Sequence, residues 1–186
     1  MKVKKDILDF DIDSLYFDAP MEAGIEEMIT EAGNCYGTEG AERLLLKAYL
    51  LAPDNLTVIV ALYRYYYYQH QLSDALIIAE KAMTVAGQSI DLPEEWARIT
   101  AEQLGAGAFR SVGLVRFYLL SLKAYGIVNI RLGDIEGGLK AIRKVCSLDP
   151  RDHLKAKDFL ELIENKVASE ELVETESPQA VAMASA

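Results

Sequence analysis

The sequence predicts an all-α protein built on an internal repeat, and three observations carry that prediction. The first is self-similarity among AERLLLKAYLLAPDN (41–55), DALIIAEKAMTVAGQ (74–88) and EGGLKAIRKVCSLDP (136–150). Each segment sets small or apolar residues at matching intervals before a chain stop. Ala41, Leu45 and Ala48 lead to Pro53; Ala75, Ala79 and Ala82 to Gly87; Gly138, Ile142 and Val145 to Pro150. The second observation is spacing, with 34 residues between Ala41 and Ala75. The third is HLKAKDFLELIENKVA, where Leu154, Phe159, Leu160 and Ile163 fall near one side of a helix.

Length and composition bound the rest. A chain of 186 residues, 51% apolar, with one Trp, five Phe and ten Tyr, can bury the core of one domain. A net charge of −10 disfavours nucleic acid and anionic membranes as partners, since both attract basic patches. No apolar run approaches the ~20 residues of a membrane span. Acidic residues interrupt MKVKKDILDFDID where a signal peptide would be apolar, so a cytoplasmic location is expected. Cys35 and Cys146 are far apart with no CxxC, which fits buried reduced thiols. His70 and His153 lack metal-ligand spacing and are expected at the surface or at helix ends.

The three segments together resemble the tetratricopeptide repeat, a pair of antiparallel helices. In that family the small residues mark where the second helix crosses the first too closely for a bulky side chain. The closing Pro or Gly ends the helix before the next repeat begins. Leu62 and Tyr66 match the large positions of a first helix, Gly126 a small one, and RLGDIEGGL (131–139) the turn between helices. The resemblance implies a helical-hairpin solenoid of about three repeats, at 22–55, 56–89 and 119–152, within a helical domain spanning 22–166. In the first repeat, a short helix over about 22–32 is expected to run into a loose turn, EAGNCYGTEG (31–40).

The spacing then breaks. Gly87 and Pro150 are 63 residues apart, 29 more than one repeat, so residues 90–118 read as a helical insertion. Within it, LPEEWARITAEQL suits a short helix starting at Pro93, GAGAFRSVG a flexible loop, and Ser111 the cap of a long helix reaching Arg131. After Pro150, residues 153–166 suit a solvating cap helix and 167–186 a disordered, acidic and alanine-rich tail. Residues 1–21 suit an extended arm, because LDFDID alternates apolar and acidic side chains.

The stretch ALYRYYYYQHQ (61–71) carries five tyrosines and turns through every direction of a helix. Aligned on the repeat, Tyr63 and Tyr66 are core, while Tyr65 points to the outer surface or a neighbouring helix. Tyr67 lies with Thr57, Val60 and Arg64 on the side lining a concave groove, with Tyr68 at its edge. The matching positions of the third repeat are Leu120, Lys123, Ile127 and Ile130. Tyrosines give large contact area with a polar tip, and arginine adds a stacking charge, so this groove is the candidate partner-binding surface.

No reactive constellation accompanies it. LGAGAF lacks the lysine of a P-loop, and GxSxG, HExxH and Cys–His pairings are missing. The expectation is a non-enzymatic protein without cofactor or metal. Family members that clamp a carboxyl-terminal carboxylate use lysine and asparagine where this chain has Glu26, Thr30, Val60 and Arg64, so an EEVD-type tail is not the expected ligand. NLTVIVALYRYYYYQ, LPEEW and RFYLLSLKAYGIVNIRLGD are similar to small tetratricopeptide proteins encoded among bacterial nitrogen-fixation genes. That resemblance implies an adaptor or assembly factor binding another protein, accessory to nitrogenase maturation or protection. The alternatives are a class II-like chaperone of type III secretion and a self-associating structural subunit, a homodimer through its exposed tyrosines.

Overall fold

The computed structural model describes residues 22–175, and among these every regular element is helical. In chain order they are α1 (Ala23–Asn34), α2 (Glu39–Leu51), α3 (Leu56–Tyr68), α4 (Leu72–Ser89), a 3-10 turn (Trp96–Arg98), α5 (Ala101–Arg110), α6 (Val112–Leu132), α7 (Ile135–Leu148) and α8 (Lys157–Thr175). Short turns join α1 to α2, α3 to α4 and α6 to α7, so each pair folds back as an antiparallel hairpin. Neighbouring hairpins also touch: α2 packs on α3, and α4 packs on α6 across the intervening α5, which rests on α6.

Local chemistry places the boundaries. The Asn55 side chain accepts from the backbone N–H groups of Thr57 and Val58, and Asp134 accepts from Gly137. Ser111 accepts from Leu114 and starts α6, as the sequence led us to expect. Both α3 and α6 end in a Schellman turn: Gln71 N–H donates to the Tyr66 carbonyl, and Asp134 N–H to that of Asn129. Gly133 takes the left-handed position of one turn, φ 99°. His70 takes it in the other, φ 60°, where a Cβ is strained.

The small residues do mark close helix crossings. Ala41, Ala48, Ala75 and Ala79 are buried, as are Leu45, Ile142 and Val145. Gly126 and Gly138 bring α6 and α7 nearly into backbone contact, since a Cβ on Gly138 would lie 2.6 Å from the Gly126 carbonyl oxygen. The main core runs through these crossings, with Ile59, Leu62, Leu119 and Leu122 fully enclosed.

Several boundaries depart from expectation. No helix starts at Pro93; α5 starts after Thr100, whose side chain forms a capping box with Gln103. Gly105–Arg110 are helical rather than a loop. Gly107 has a packing duty there, because a Cβ would meet the Ile90 carbonyl oxygen at 3.3 Å. Helix α6 is the long helix expected from Ser111 to Arg131, and it is the border at 118 that has no counterpart, because the inserted segment and the next hairpin share this helix. The first hairpin's turn is tighter than EAGNCYGTEG suggested, with 31–34 in α1 and Glu39 opening α2.

The last helix starts at Lys157 rather than 153, because Asp149 and Asp152 organise the preceding turn. Asp149, 1% exposed, accepts from the Leu154 N–H, and Asp152 from those of Ala156 and Lys157. Helix α8 continues to Thr175, so the expected disorder over 167–175 is replaced by helix. The expected arm at 1–21 and the end of the tail at 176–186 lie outside the described residues.

Candidate protein-binding surface

Helix α3 divides its tyrosines by direction. Tyr65 and Tyr66 are buried, 6% and 7% exposed, and reach towards the first hairpin. The Tyr65 hydroxyl donates to the Thr38 carbonyl at 3.4 Å, and its ring meets those of Tyr36 and Tyr66 edge-on. Tyr66 donates to a Glu42 carboxylate oxygen at 3.3 Å. Of the two directions open to Tyr65, the neighbouring helical hairpin is the one it takes. Tyr63, expected in the core, is only half-buried and stacks on Tyr67, with centroids 5.7 Å apart and planes at 25°.

That stack continues outward. Tyr67 meets Tyr68 edge-on at 5.5 Å, and Tyr68 is 61% exposed. Arg131, at the end of α6, lies over the Tyr67 ring with its guanidinium carbon 4.8 Å from the centroid. Its Nη2 also donates to His70 Nδ1 at 3.1 Å, an arrangement that needs the neutral ring with hydrogen on Nε2. An aromatic strip is thus tied by one arginine to the end of the next hairpin. Burial and the neighbouring phenols Tyr67 and Tyr68 raise the Tyr63 pKa, with Arg131 offsetting part of the rise.

The other expected groove residues divide. Thr57 and Arg64 are exposed and Val60 is half-buried. Arg64 makes no ion pair among the described residues. Leu120, Ile127 and Ile130 are half-buried and pack against the main core, and the Ile130 side chain lies at the close crossing with Gly138 of α7. Lys123 does not present a free charge to this face. Its Nζ donates to the Leu154 and Lys155 carbonyls at 2.6 and 2.8 Å, holding the turn before α8. Burial lowers its pKa, and Asp152 opposes that shift.

Two contributors escaped the sequence reading. Arg131 was seen only as a helix end and His70 only as a surface or capping residue. The signal was present: His70 sits 63 residues before Gly133, at the equivalent turn, where the backbone calls for glycine.

Other chemistry is sparse among the described residues. Cys35 and Cys146 are free thiols, half-buried rather than fully buried, and burial raises the Cys146 pKa. No group of three or more His, Cys, Asp and Glu side chains among the described residues could hold a metal. No described helix is long and apolar enough to cross a membrane.

An all-helical chain of packed hairpins with a tyrosine–arginine surface is therefore the class of protein that the fold and surface define. Comparison with known proteins then supplies its kin. The chain is 42% identical over 158 residues to an uncharacterized 19.8 kDa protein in the nifW 5′ region of Azotobacter chroococcum mcd 1, covering 85% of this chain and 88% of the relative. This chain belongs to the same family as that protein. The relative's place in a nif gene region agrees with the nitrogen-fixation context that the sequence motifs implied. No protein-family model matches the chain, and no solved structure matches it.

Proposed function

We propose that this protein is a non-catalytic interaction module of the tetratricopeptide kind, an adaptor or assembly factor. It holds a segment of another protein across the face shared by α3 and α6. The observation that carries this reading is the strip Tyr63–Tyr67–Tyr68 with Arg131 stacked on it and Arg64 exposed beside it. Stiff aromatic rings offer contact area at low entropic cost, and a guanidinium supplies directed hydrogen bonds to a carboxylate or carbonyl. Support for the tetratricopeptide arrangement comes from the 34-residue spacing, the hairpin-on-hairpin contacts and the close crossing at Gly126 and Gly138. The relative's nif region favours a partner in nitrogenase maturation or protection, reached by contact rather than catalysis.

The test is native co-purification from the source organism under nitrogen-fixing conditions, with the intact chain beside an Arg64→Ala/Tyr68→Ala variant. Both side chains are exposed, so the variant should keep its helicity. A partner recovered by the intact chain and lost by the folded variant is the expected result. Equal recovery by both would remove the α3–α6 face from the account.

A further inference from the structure

A cavity of about 460 Å3 opens on another side of the molecule, between α4, the segment after it, and α6. Its floor is built by Met83, Gly87, Leu92 and Tyr118, all buried. Gly87 lets the Tyr118 ring lie against the α4 backbone, since a Cβ there would be 3.2 Å from the ring. The indole of Trp96 and the ring of Tyr125 form a wall, with centroids 6.3 Å apart and planes tilted by 57°. Glu80 and Glu94 stand exposed at the rim.

Three features give this cavity a chemical preference. Aromatic faces present negative charge to an occupant, and two carboxylates add to it. No lysine or arginine lines the space, and nearby cations are engaged elsewhere. Lys81 pairs with Asp54, Arg98 with Glu95, and Lys144 donates to the Ala97 carbonyl. Independently of the carboxylates, Tyr118 is 2% exposed and its hydroxyl has no hydrogen bond to any described residue. Burial pushes its pKa up to about 12, so near neutral pH it is an uncharged phenol with acceptor lone pairs to offer.

We propose that this cavity binds a cationic group, the guanidinium or alkylammonium of an arginine or lysine side chain presented by another protein. The cation sits against Trp96 and Tyr125, donates to the Tyr118 hydroxyl, and is neutralised by Glu80 and Glu94 at the rim. The site is separate from the α3–α6 face. At about 100° per residue, Tyr118 and Tyr125 share one side of α6, while Leu120 and Ile127 lie about 160–200° away. A free organic amine has the same chemistry, so the test must separate the two sources.

Trp96 is the single tryptophan of the chain, so its fluorescence reports on the cavity. The full chain would be titrated with N-acetyl-arginine methylamide, with short peptides carrying one arginine or lysine among serines, and with the citrulline peptide as neutral isostere. A saturable change with the cationic probes and none with citrulline is expected. Glu94→Gln and Tyr118→Phe should each weaken binding by at least about fivefold. Should Tyr118→Phe disturb the fold, Glu80→Gln/Glu94→Gln alters only exposed groups and must show the loss. An equal response to citrulline, or unchanged affinity in the carboxylate variants, would overturn the cation site. Peptides binding more tightly than the capped amino acid support a protein as the source. Equal affinity would overturn that assignment in favour of a small amine.

Discussion

His70 carries the sharpest residue-level statement. Its φ of 60° costs an L-residue about 1 kcal/mol relative to glycine, the residue that fills the equivalent turn at position 133. What the imidazole gains is the contact to Arg131, which stacks on Tyr67. His70→Gly should therefore raise the unfolding free energy by up to about 1 kcal/mol while weakening partner binding, measured by denaturant titration and by affinity on the same samples. A variant that is destabilised and binds normally would contradict this division of roles. The residue was legible in retrospect as a histidine at a glycine's place in the repeat; the contact it makes was not, because Arg131 lies 61 positions away. The tyrosine run was half legible. Helical angle placed Tyr66 in the core and left Tyr65 open between the surface and a neighbour, a choice settled by the Tyr36–Thr38 turn that receives it, while Tyr63, expected in the core, is only half-buried.

The buried tyrosines also fix a pH dependence. Tyr66 and Tyr118 are pushed up to about 12 from 10.0, by burial first and, for Tyr66, by the Glu42 carboxylate as well. A group whose folded pKa is raised stabilises the fold fully below its unfolded value and loses that contribution as pH rises through its folded one. Stability should thus fall between pH 10 and about 12. Lys123, lowered from 10.5 by burial, acts with the opposite sign at lower pH, so the fall is cleanest above 10.5. Denaturant melts across this range should show it, and Tyr66→Phe should flatten the slope; a flat wild-type profile would contradict the assignment.

At the scale of elements, glycines separate what the sequence could say from what it could not. Gly138 was legible as a close crossing, from its alignment with Ala41 and Ala75, and the structure puts the Gly126 carbonyl there. Gly138→Ala should destabilise the chain by about 1–3 kcal/mol, seen as a lower unfolding midpoint at unchanged m-value. Gly37, which turns the chain between α1 and α2 with φ 85°, and Gly107, which makes a helix contact, look alike in sequence, which is why GAGAFR suggested a loop. Its capping box, Thr100 and Gln103, was on the page, but Pro93 offered a competing start seven residues earlier. The long helix from Ser111 to Arg131 was legible from its cap, and only the repeat border within it was misplaced. Arithmetic on a 34-residue repeat places a border at 118, whereas a helix ends only where its backbone is capped, here at Gly133.

For the whole molecule, repeat spacing announced the hairpins because each must bury its small-residue face against a neighbour. The proposed binding face was legible only in outline. Side-chain spacing aligned Tyr67 and Arg64, but a lysine read as free charge holds the turn before α8. The central claim is that the α3–α6 face holds a partner, and two exposed aromatic positions allow it to be tested in one experiment. Tyr68 lies on that face, 61% exposed, and Phe109 lies in α5, 96% exposed. Each would be replaced by a photo-crosslinking phenylalanine analogue in the source organism grown under nitrogen-fixing conditions, and the adducts resolved by mass. The account predicts a discrete adduct to a different protein from position 68 and none from position 109. An adduct from position 109 alone, or one from position 68 with twice the mass of this chain, would contradict it.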